Sequence, residues 1–221
     1  MSGDAYTSLN LADHVGDDPE AVRVNRARAA AGLGVAETDL VVMRATHGRD
    51  AHLVAGPGDP ESGDILLTRT PGIGVAALAA DCVPFALLDP DAGVVAAVHA
   101  GWRGVAQDTA GAAVEAMVGL GARPDRIVAH LGPAVCPGCY EVSEEVRGEV
   151  SAAAPEAWAV TGRGTPAVDL HAGVRCQLAR AGVTAVTADT RCCVESADLY
   201  SFRRDGVTGR HGILARLPER P

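Results

Sequence analysis

Lysine is absent from this chain: all 19 basic residues are arginine. Its absence excludes a lysine Schiff base, a Walker-A phosphate loop and a Ser-Lys dyad together, because each needs the ε-amine. Aromatic residues make up only 3%, so the core has to be built from Val, Leu, Ile and Ala. Long apolar runs are missing too. The longest, such as 74–80 and 83–88, stop far short of the ~18 residues a membrane span needs. The opening residues, Met1-Ser-Gly-Asp-Ala-Tyr, carry no basic n-region and no apolar h-region. No signal peptide is therefore expected, and a cytoplasmic location is. Acidic residues number 28 and leave a formal charge of −9 with no basic block, which argues against nucleic acid as a partner.

What remains is ordinary for a globular protein: 221 residues, 48% hydrophobic and 21% charged. Asp18, Pro19 and Glu20 give an N-cap, a first helical position and an acidic first turn, predicting a helix over 19–31 that stops at Gly32. The apolar runs 40–43, 65–68, 75–79, 83–88 and 94–98 read as short buried strands separated by turn residues. Residues 49–63, with Gly56-Pro57-Gly58-Asp59-Pro60, read as a loop. A second helix is expected over 105–119 and a strand over 127–131. Ser143 caps a third helix reaching about 153, and Asp169 a fourth ending at Gly182. Final strands are expected over 183–188 and 212–217. Strands and helices mix without strict alternation, and no linker interrupts them. The expectation is a single α+β domain over 1–221 rather than a doubly wound sheet.

Six cysteines (82, 136, 139, 176, 192 and 193) and seven histidines supply the soft ligands. His47, Cys82 and His99 each lie at the end of an expected strand, beside small residues that let a substrate or metal approach. Two imidazoles and a thiolate leave the fourth position of a zinc ion open, as catalytic sites do. Their separations, 35 and 17 residues, match no structural-zinc spacing, so each residue taken alone reads first as an ordinary buried cysteine or a hydrogen-bonded core histidine. In His99-Ala-Gly-Trp-Arg-Gly104, Arg103 and the N–H groups near Gly104 and Val105 suit an anion at a helix start. Arg203-Arg204-Asp-Gly and Arg210 read first as a polar turn, and secondly as a cationic wall. Cys136-Pro-Gly-Cys139 lacks a second C-x-x-C for a zinc ribbon, since only Cys192-Cys193 remains, and packing near a turn is the favoured reading. Gly72-Ile-Gly74-Val-Ala-Ala77 is followed by strands rather than a helix, so no dinucleotide fingerprint is expected. His14 sits in a polar loop, while His52, His130, His171 and His211 read as structural or surface residues.

These segments resemble the YfiH family, also labelled the multicopper polyphenol oxidase or laccase-domain family and the peptidoglycan editing factor family. The likeness runs nearly end to end. It is carried by His14-Val-Gly-Asp-Asp-Pro with Asn25-Arg26, Thr46-His47-Gly48, Ala80-Asp81-Cys82-Val-Pro84 and His99-Ala-Gly-Trp-Arg-Gly104. Gly132-Pro-Ala, Cys139-Tyr-Glu-Val142, Asp189-Thr190, Phe202-Arg-Arg-Asp-Gly and Thr208-Gly-Arg210 extend it. One departure is Ala45-Thr46, where the family usually has Gln-Val before the first histidine.

The resemblance implies a layered α/β/β/α sandwich with mixed sheets and zinc on His47, Cys82 and His99. It also implies phosphorolysis of adenosine, inosine, guanosine and methylthioadenosine, with adenosine deamination beside it. On that expectation Asp81 shuttles a proton, Arg103 or Arg204 holds phosphate, and His14 contacts substrate. The partners are then a nucleoside and phosphate, and the chain is expected to be a monomer. Copper fits the same three ligands, but a multicopper oxidase needs a further His-rich cluster, and the five other histidines are scattered. The competing enzyme reading is an amidase editing cell-wall precursors, with Cys82 as nucleophile and His47 or His99 as base. A non-catalytic zinc-binding protein is the third.

Overall fold

The computed structural model describes residues 2–58 and 62–217. Asp59 and Pro60, the end of the expected 56–60 turn, lie outside the described residues. In chain order the elements are α1 (Pro19–Leu33), β1 (Leu40–Val42), β2 (Ala51–Val54), β3 (Ile65–Thr68), β4 (Gly74–Ala79), β5 (Val83–Asp89) and β6 (Val94–Ala100). Then come α2 (Trp102–Ala106), α3 (Thr109–Gly119), β7 (Val128–Leu131), α4 (Glu144–Ala153), β8 (Trp158–Val160) and β9 (Pro166–Val168). The chain closes with α5 (Leu170–Arg180), β10 (Ala185–Ala188), α6 (Phe202–Asp205) and β11 (His211–Arg216).

Continuous apolar strands need cover on both faces, and the layers supply it. A six-stranded sheet in the order β10-β7-β5-β6-β3-β2 lies against a three-stranded sheet, β1-β4-β11. Both are mixed: β1 runs parallel to β4, and β11 antiparallel to it. In the larger sheet β2 is parallel to β3 and β10 to β7, while the central pairs are antiparallel. Every residue of β4 and of β6 is buried. Alternation sorts the side chains of β6: Val94, Ala96 and Val98 pack with Ala113 and Met117 of α3 and Leu178 of α5. Val95 and Ala97 face Val75 and Ala77 of β4 across the sheets. On the far side Ala30 of α1 packs with Leu40 and Ala76. The layers are thus α/β/β/α in a mixed α+β domain, as the resemblance implied. Phe85, fully buried in β5, anchors the helical layer, and truncation to Ala there costs roughly 3–5 kcal/mol. No helix among the described residues is long and apolar enough to cross a membrane.

Several boundaries differ from expectation for identifiable reasons. Asp18 caps α1, accepting from Glu20 N at 2.8 Å and Ala21 N at 3.3 Å. The helix passes Gly32 because Gly34, at φ 79°, takes the left-handed cap instead. The expected helix over 105–119 is two helices. Asp108, at φ 59°, interrupts it and recaps α3 through Gly111 N. The fully buried Thr109 then donates to the Gly48 carbonyl at 2.7 Å, joining the break to the loop after β1. Part of the expected 49–63 loop is β2, an exposed edge strand. The small β8-β9 sheet was not expected.

Candidate active site

Three strand ends meet at the top of the two sheets. His47 follows β1, Cys82 sits between β4 and β5, and His99 occupies the penultimate position of β6, opposite Pro84. Their ligand atoms all lie within 4.8 Å of one another. The rings of His47 and His99 stand edge to face, 4.9 Å apart. Gly101 leaves the space for this meeting: a Cβ there would lie 2.8 Å from Cys82 Sγ and 3.2 Å from His47 Cδ2.

Asp64 holds two of the three in place. It is fully buried and directly precedes β3. Its Oδ1 accepts from His99 Nδ1 at 2.8 Å and from His47 N at 3.0 Å. Its Oδ2 accepts from Thr46 Oγ1, Thr46 N and Gly48 N at 2.7, 3.1 and 2.8 Å. Those converging N–H groups explain how the backbone at His47 keeps a left-handed φ of 62°. They also turn His99 so that Nε2 is the nitrogen left for the site. Burial pushes the Asp64 carboxyl up, but the bonds from His99, Thr46 and Gly48 hold it well below the usual carboxylate range.

The same donors shape the thiol. Burial raises the Cys82 pKa, but the charge of His99 and hydrogen bonds with both histidines bring it down to about 6. Burial lowers that of His99, while Cys82 and Asp64 together raise it to about 9. Without a metal, the pair is thiolate and imidazolium between those values. A thiolate, two imidazoles and a carboxylate behind one of them make a donor set that zinc fits. Among the described residues no second histidine cluster accompanies it, in line with the scatter of the other histidines.

The triad opens into a cavity of about 350 Å³ whose walls include His14, Tyr140, Phe202, Arg203 and Arg210. Phe202 is 59% exposed, an apolar ring left at the cavity mouth. The Arg203 guanidinium stands 5.0 Å over the Tyr140 ring. Burial, with the charge of Cys82 beside it, raises the Tyr140 phenol and keeps it neutral. Arg210 is placed by the N-terminal segment. Its N–H donates to the buried Asn10 Oδ1 at 2.9 Å, and its carbonyl accepts from Leu11 N at 3.2 Å.

The other expected site residues sort differently. Asp81 lines the cavity at φ 93°, and its carboxylate accepts from Ser201 Oγ and Arg203 N, both at 2.7 Å. That anchors the start of α6 and commits one acceptor position on each oxygen. Arg204 turns away. Its guanidinium donates to the carbonyls of Cys193, Ser196 and Leu199 at 2.8–2.9 Å and pairs with Asp205. Arg103 is exposed, lies over the Trp102 ring at 4.5 Å, and is absent from the cavity wall. Of the expected anion cradle beside it, the Val105 N–H is already taken, donating to the Gly101 carbonyl at 2.9 Å. His52, His130, His171 and His211 all bond to carbonyls or hydroxyls outside the triad.

Sequence reasoning missed Asp64, Tyr140 and Phe202 as site residues, and gave Arg203 and Arg210 only as the second reading of a polar turn. All but Asp64 lie in segments quoted for the resemblance, and Asp64 carries no local signal. It also missed a second cluster, in which Cys136, Cys139, Cys192 and Glu195 bring their ligand atoms within 4.8 Å of one another.

Comparison with known proteins agrees with the fold. The family model described as "Multi-copper polyphenol oxidoreductase laccase" matches residues 1–217. A Streptomyces griseus protein named purine nucleoside phosphorylase ORF3 is 50% identical over 214 residues, covering 95% of this chain and 87% of that one. A protein named adenosine deaminase RL5, from an unknown prokaryotic organism, is 38% identical over 220 residues, covering 92% of this chain and 84% of its own. The crystal structure of Bacillus licheniformis hypothetical protein YfiH superposes with a TM-score of 0.91 at 28% identity, covering 99% of this chain and 89% of that one. With the family pattern met over 1–217 and the fold shared throughout, the chain belongs to the multi-copper polyphenol oxidoreductase laccase family, whose solved members include YfiH.

Proposed function

We propose that the chain is a zinc-dependent purine nucleoside phosphorylase with a companion adenosine deaminase activity, acting in the cytoplasm as a monomer. Adenosine, inosine, guanosine and methylthioadenosine are its substrates on this reading. The observation that carries it is a three-ligand set opening into a cavity with two arginines and two aromatic rings on its wall. The printed names of the phosphorylase and deaminase relatives point the same way.

In phosphorolysis a phosphate oxygen bonds to C1′ of the ribose, the C1′–N9 bond breaks, and its electron pair leaves with the purine, which takes up a proton. Arg203 and Arg210 offer the charge to hold the phosphate, replacing Arg103 and Arg204 in that role. Tyr140 and Phe202 offer flat apolar faces to the purine. His14, exposed at the rim, reaches the substrate rather than the ligands. His47, Cys82 and His99 would hold the zinc, which when bound supplies Lewis acidity to the reacting oxygen. Asp64 fixes the tautomer of His99, and Asp81 sets Arg203 by gripping its N–H. In deamination the same purine subsite presents C6, where water replaces the amino group and ammonia leaves.

The test is base release from inosine and adenosine, with and without phosphate, on protein of measured zinc content. Phosphate-dependent release that disappears on chelation and returns with zinc is expected. No release from zinc-loaded protein refutes the reading. The thiolate–imidazolium pairing of Cys82 with His99 favours a second reading, the amidase of cell-wall precursors with Cys82 as nucleophile. Its activity survives chelation, whereas the phosphorylase loses activity.

A further inference from the structure

The cysteine cluster lies apart from the cavity and takes no part in the proposed reaction. Its two halves are built alike. In Cys136-Pro137-Gly138-Cys139 the Cys136 carbonyl accepts from Cys139 N at 3.0 Å and Tyr140 N at 3.1 Å. In Cys192-Cys193-Val194-Glu195 the Cys192 carbonyl accepts from Glu195 N at 3.2 Å and Ser196 N at 2.9 Å. Each is a tight turn with ligand-type side chains three residues apart. The missing partner of the C-x-x-C is thus a C-x-x-E, in which the fourth donor is a carboxylate.

The two turns are fastened side by side. Ala134 bridges Cys192 in parallel, and Cys193 N donates to the Ala134 carbonyl at 3.0 Å. Cys136 N points at Cys192 Sγ at 3.2 Å, the N–H to sulfur contact that favours a thiolate, and Cys139 Sγ lies 3.6 Å from Glu195 Oε1. Adjacent side chains diverge, so Cys193 leaves the cluster for the far side, 3.8 Å from His211 Nε2. Three sulfurs and one carboxylate oxygen within 4.8 Å need to contract by only about 1 Å to meet the ~3.8 Å edges of a tetrahedron with 2.3 Å metal–sulfur bonds.

We propose that Cys136, Cys139, Cys192 and Glu195 form a second metal centre, a closed structural zinc site. Four protein donors leave no open position, so the site binds and does not react. Three thiolates select a soft or borderline metal over magnesium or calcium. Its place explains its use. Tyr140 of the cavity wall directly follows Cys139, and the Cys193–Leu199 loop receives the Arg204 guanidinium at the base of α6. A zinc ion between the turns ties those two walls together from behind.

The test needs no assumption about the cavity. In the reduced Cys82→Ala chain any thiolate-to-cobalt charge-transfer absorption has to come from elsewhere. One equivalent of cobalt giving that absorption with tetrahedral d–d bands is expected, displaced by zinc. Adding Cys136→Ser and Cys139→Ser abolishes the band, and in the otherwise native chain the same two changes lower the zinc content by one equivalent. Glu195→Gln, an exposed change that spares the fold, should shift the d–d bands and weaken cobalt binding at least tenfold. X-ray absorption of the zinc-loaded Cys82→Ala protein should show three sulfurs and one oxygen. No thiolate–cobalt band in Cys82→Ala, a disulfide among Cys136, Cys139 and Cys192 in the purified protein, or an unchanged spectrum in Glu195→Gln would each overturn the assignment.

Discussion

Replacing Asp64 by Asn keeps the size of the side chain and removes its charge. The five donors that meet Asp64 make this change costly whichever way the amide turns. With the amide nitrogen at the Oδ2 position, the N–H groups of Thr46 and Gly48 face another donor, and only the Thr46 hydroxyl can reverse. A buried N–H left unpaired costs about 1–3 kcal/mol, so this orientation loses about 2–6 kcal/mol. With the nitrogen at the Oδ1 position, His47 N is orphaned at about 1–3 kcal/mol. His99 must then accept at Nδ1, moving its proton to Nε2, the nitrogen the metal needs. Zinc affinity should fall 10–100-fold, as loss of such an orienting partner commonly does.

The assays are urea unfolding of metal-free protein and zinc competition against a chromophoric chelator. The pH dependence adds a signature. The folded pKa of Asp64 lies below its unfolded value, so its stabilisation is fully present above about pH 4 and is lost as pH falls from there. The Asn variant should lack that share of the acid loss. Wild-type stability and zinc affinity in D64N would refute the argument that this carboxylate organises the triad.

Gly101→Ala should fold yet bind zinc at least tenfold more weakly. Its φ of −86° suits any residue, and what is at stake is the approach to two of the ligands, 2.8 Å to Cys82 Sγ and 3.2 Å to His47 Cδ2; metal analysis with circular dichroism checks this. Arg203→Ala should raise the KM for phosphate about tenfold or more, about 1.4 kcal/mol of binding, with little change in melting temperature; Arg210→Ala should raise it likewise and also lower stability, because its guanidinium donates to the Thr208 and Gly209 carbonyls, both at 2.9 Å. Arg204→Ala should instead lower stability by about 2 kcal/mol, through the carbonyls it leaves unpaired, which unfolding curves and steady-state kinetics separate. In metal-free protein the thiolate absorbance of Cys82 should rise with a midpoint near 6 and move towards about 8.5 in His99→Gln. The depressed thiol contributes stability that is lost as pH falls through 6, and the raised imidazole stability that is lost as pH rises through 9. A midpoint unmoved by His99→Gln would contradict the pairing.

Central strands were legible because both faces of β4 and β6 are covered, which writes a continuous apolar run into the sequence. The edge strand β2 was not: only Val54 of its four side chains is buried, it lies beside a Gly/Pro-rich turn, and its strand character comes from pairing with β3. The break at Asp108 was hidden for a different reason. Ala106, Gln107 and Ala110 around it are good helix formers, and the contact that fixes it, Thr109 to Gly48, reaches back across five strands. At the site, His47, Cys82 and His99 stood out as residue types at strand ends. Asp64 looked like any loop aspartate, since its partners come from 46–48 and from residue 99. Arg203 and Arg204 are indistinguishable on paper, and one residue of rotation about α6 decides which guanidinium faces the cavity. Cys192 and Glu195 were invisible as partners of Cys136 because a C-x-x-E announces nothing until the fold sets it beside a C-x-x-C.

The tie between Asn10 and Arg210 makes the order of synthesis matter. His47, Cys82 and His99 are all made more than a hundred residues before the arginine closing the cavity, which docks onto Asn10, made before any of them. A nascent chain stalled short of residue 210 therefore has its three metal ligands but no finished wall for a substrate. On the proposed function, metal capture can precede substrate recognition by the time needed to translate more than a hundred residues, and the pocket is completed when residues 10 and 210 meet.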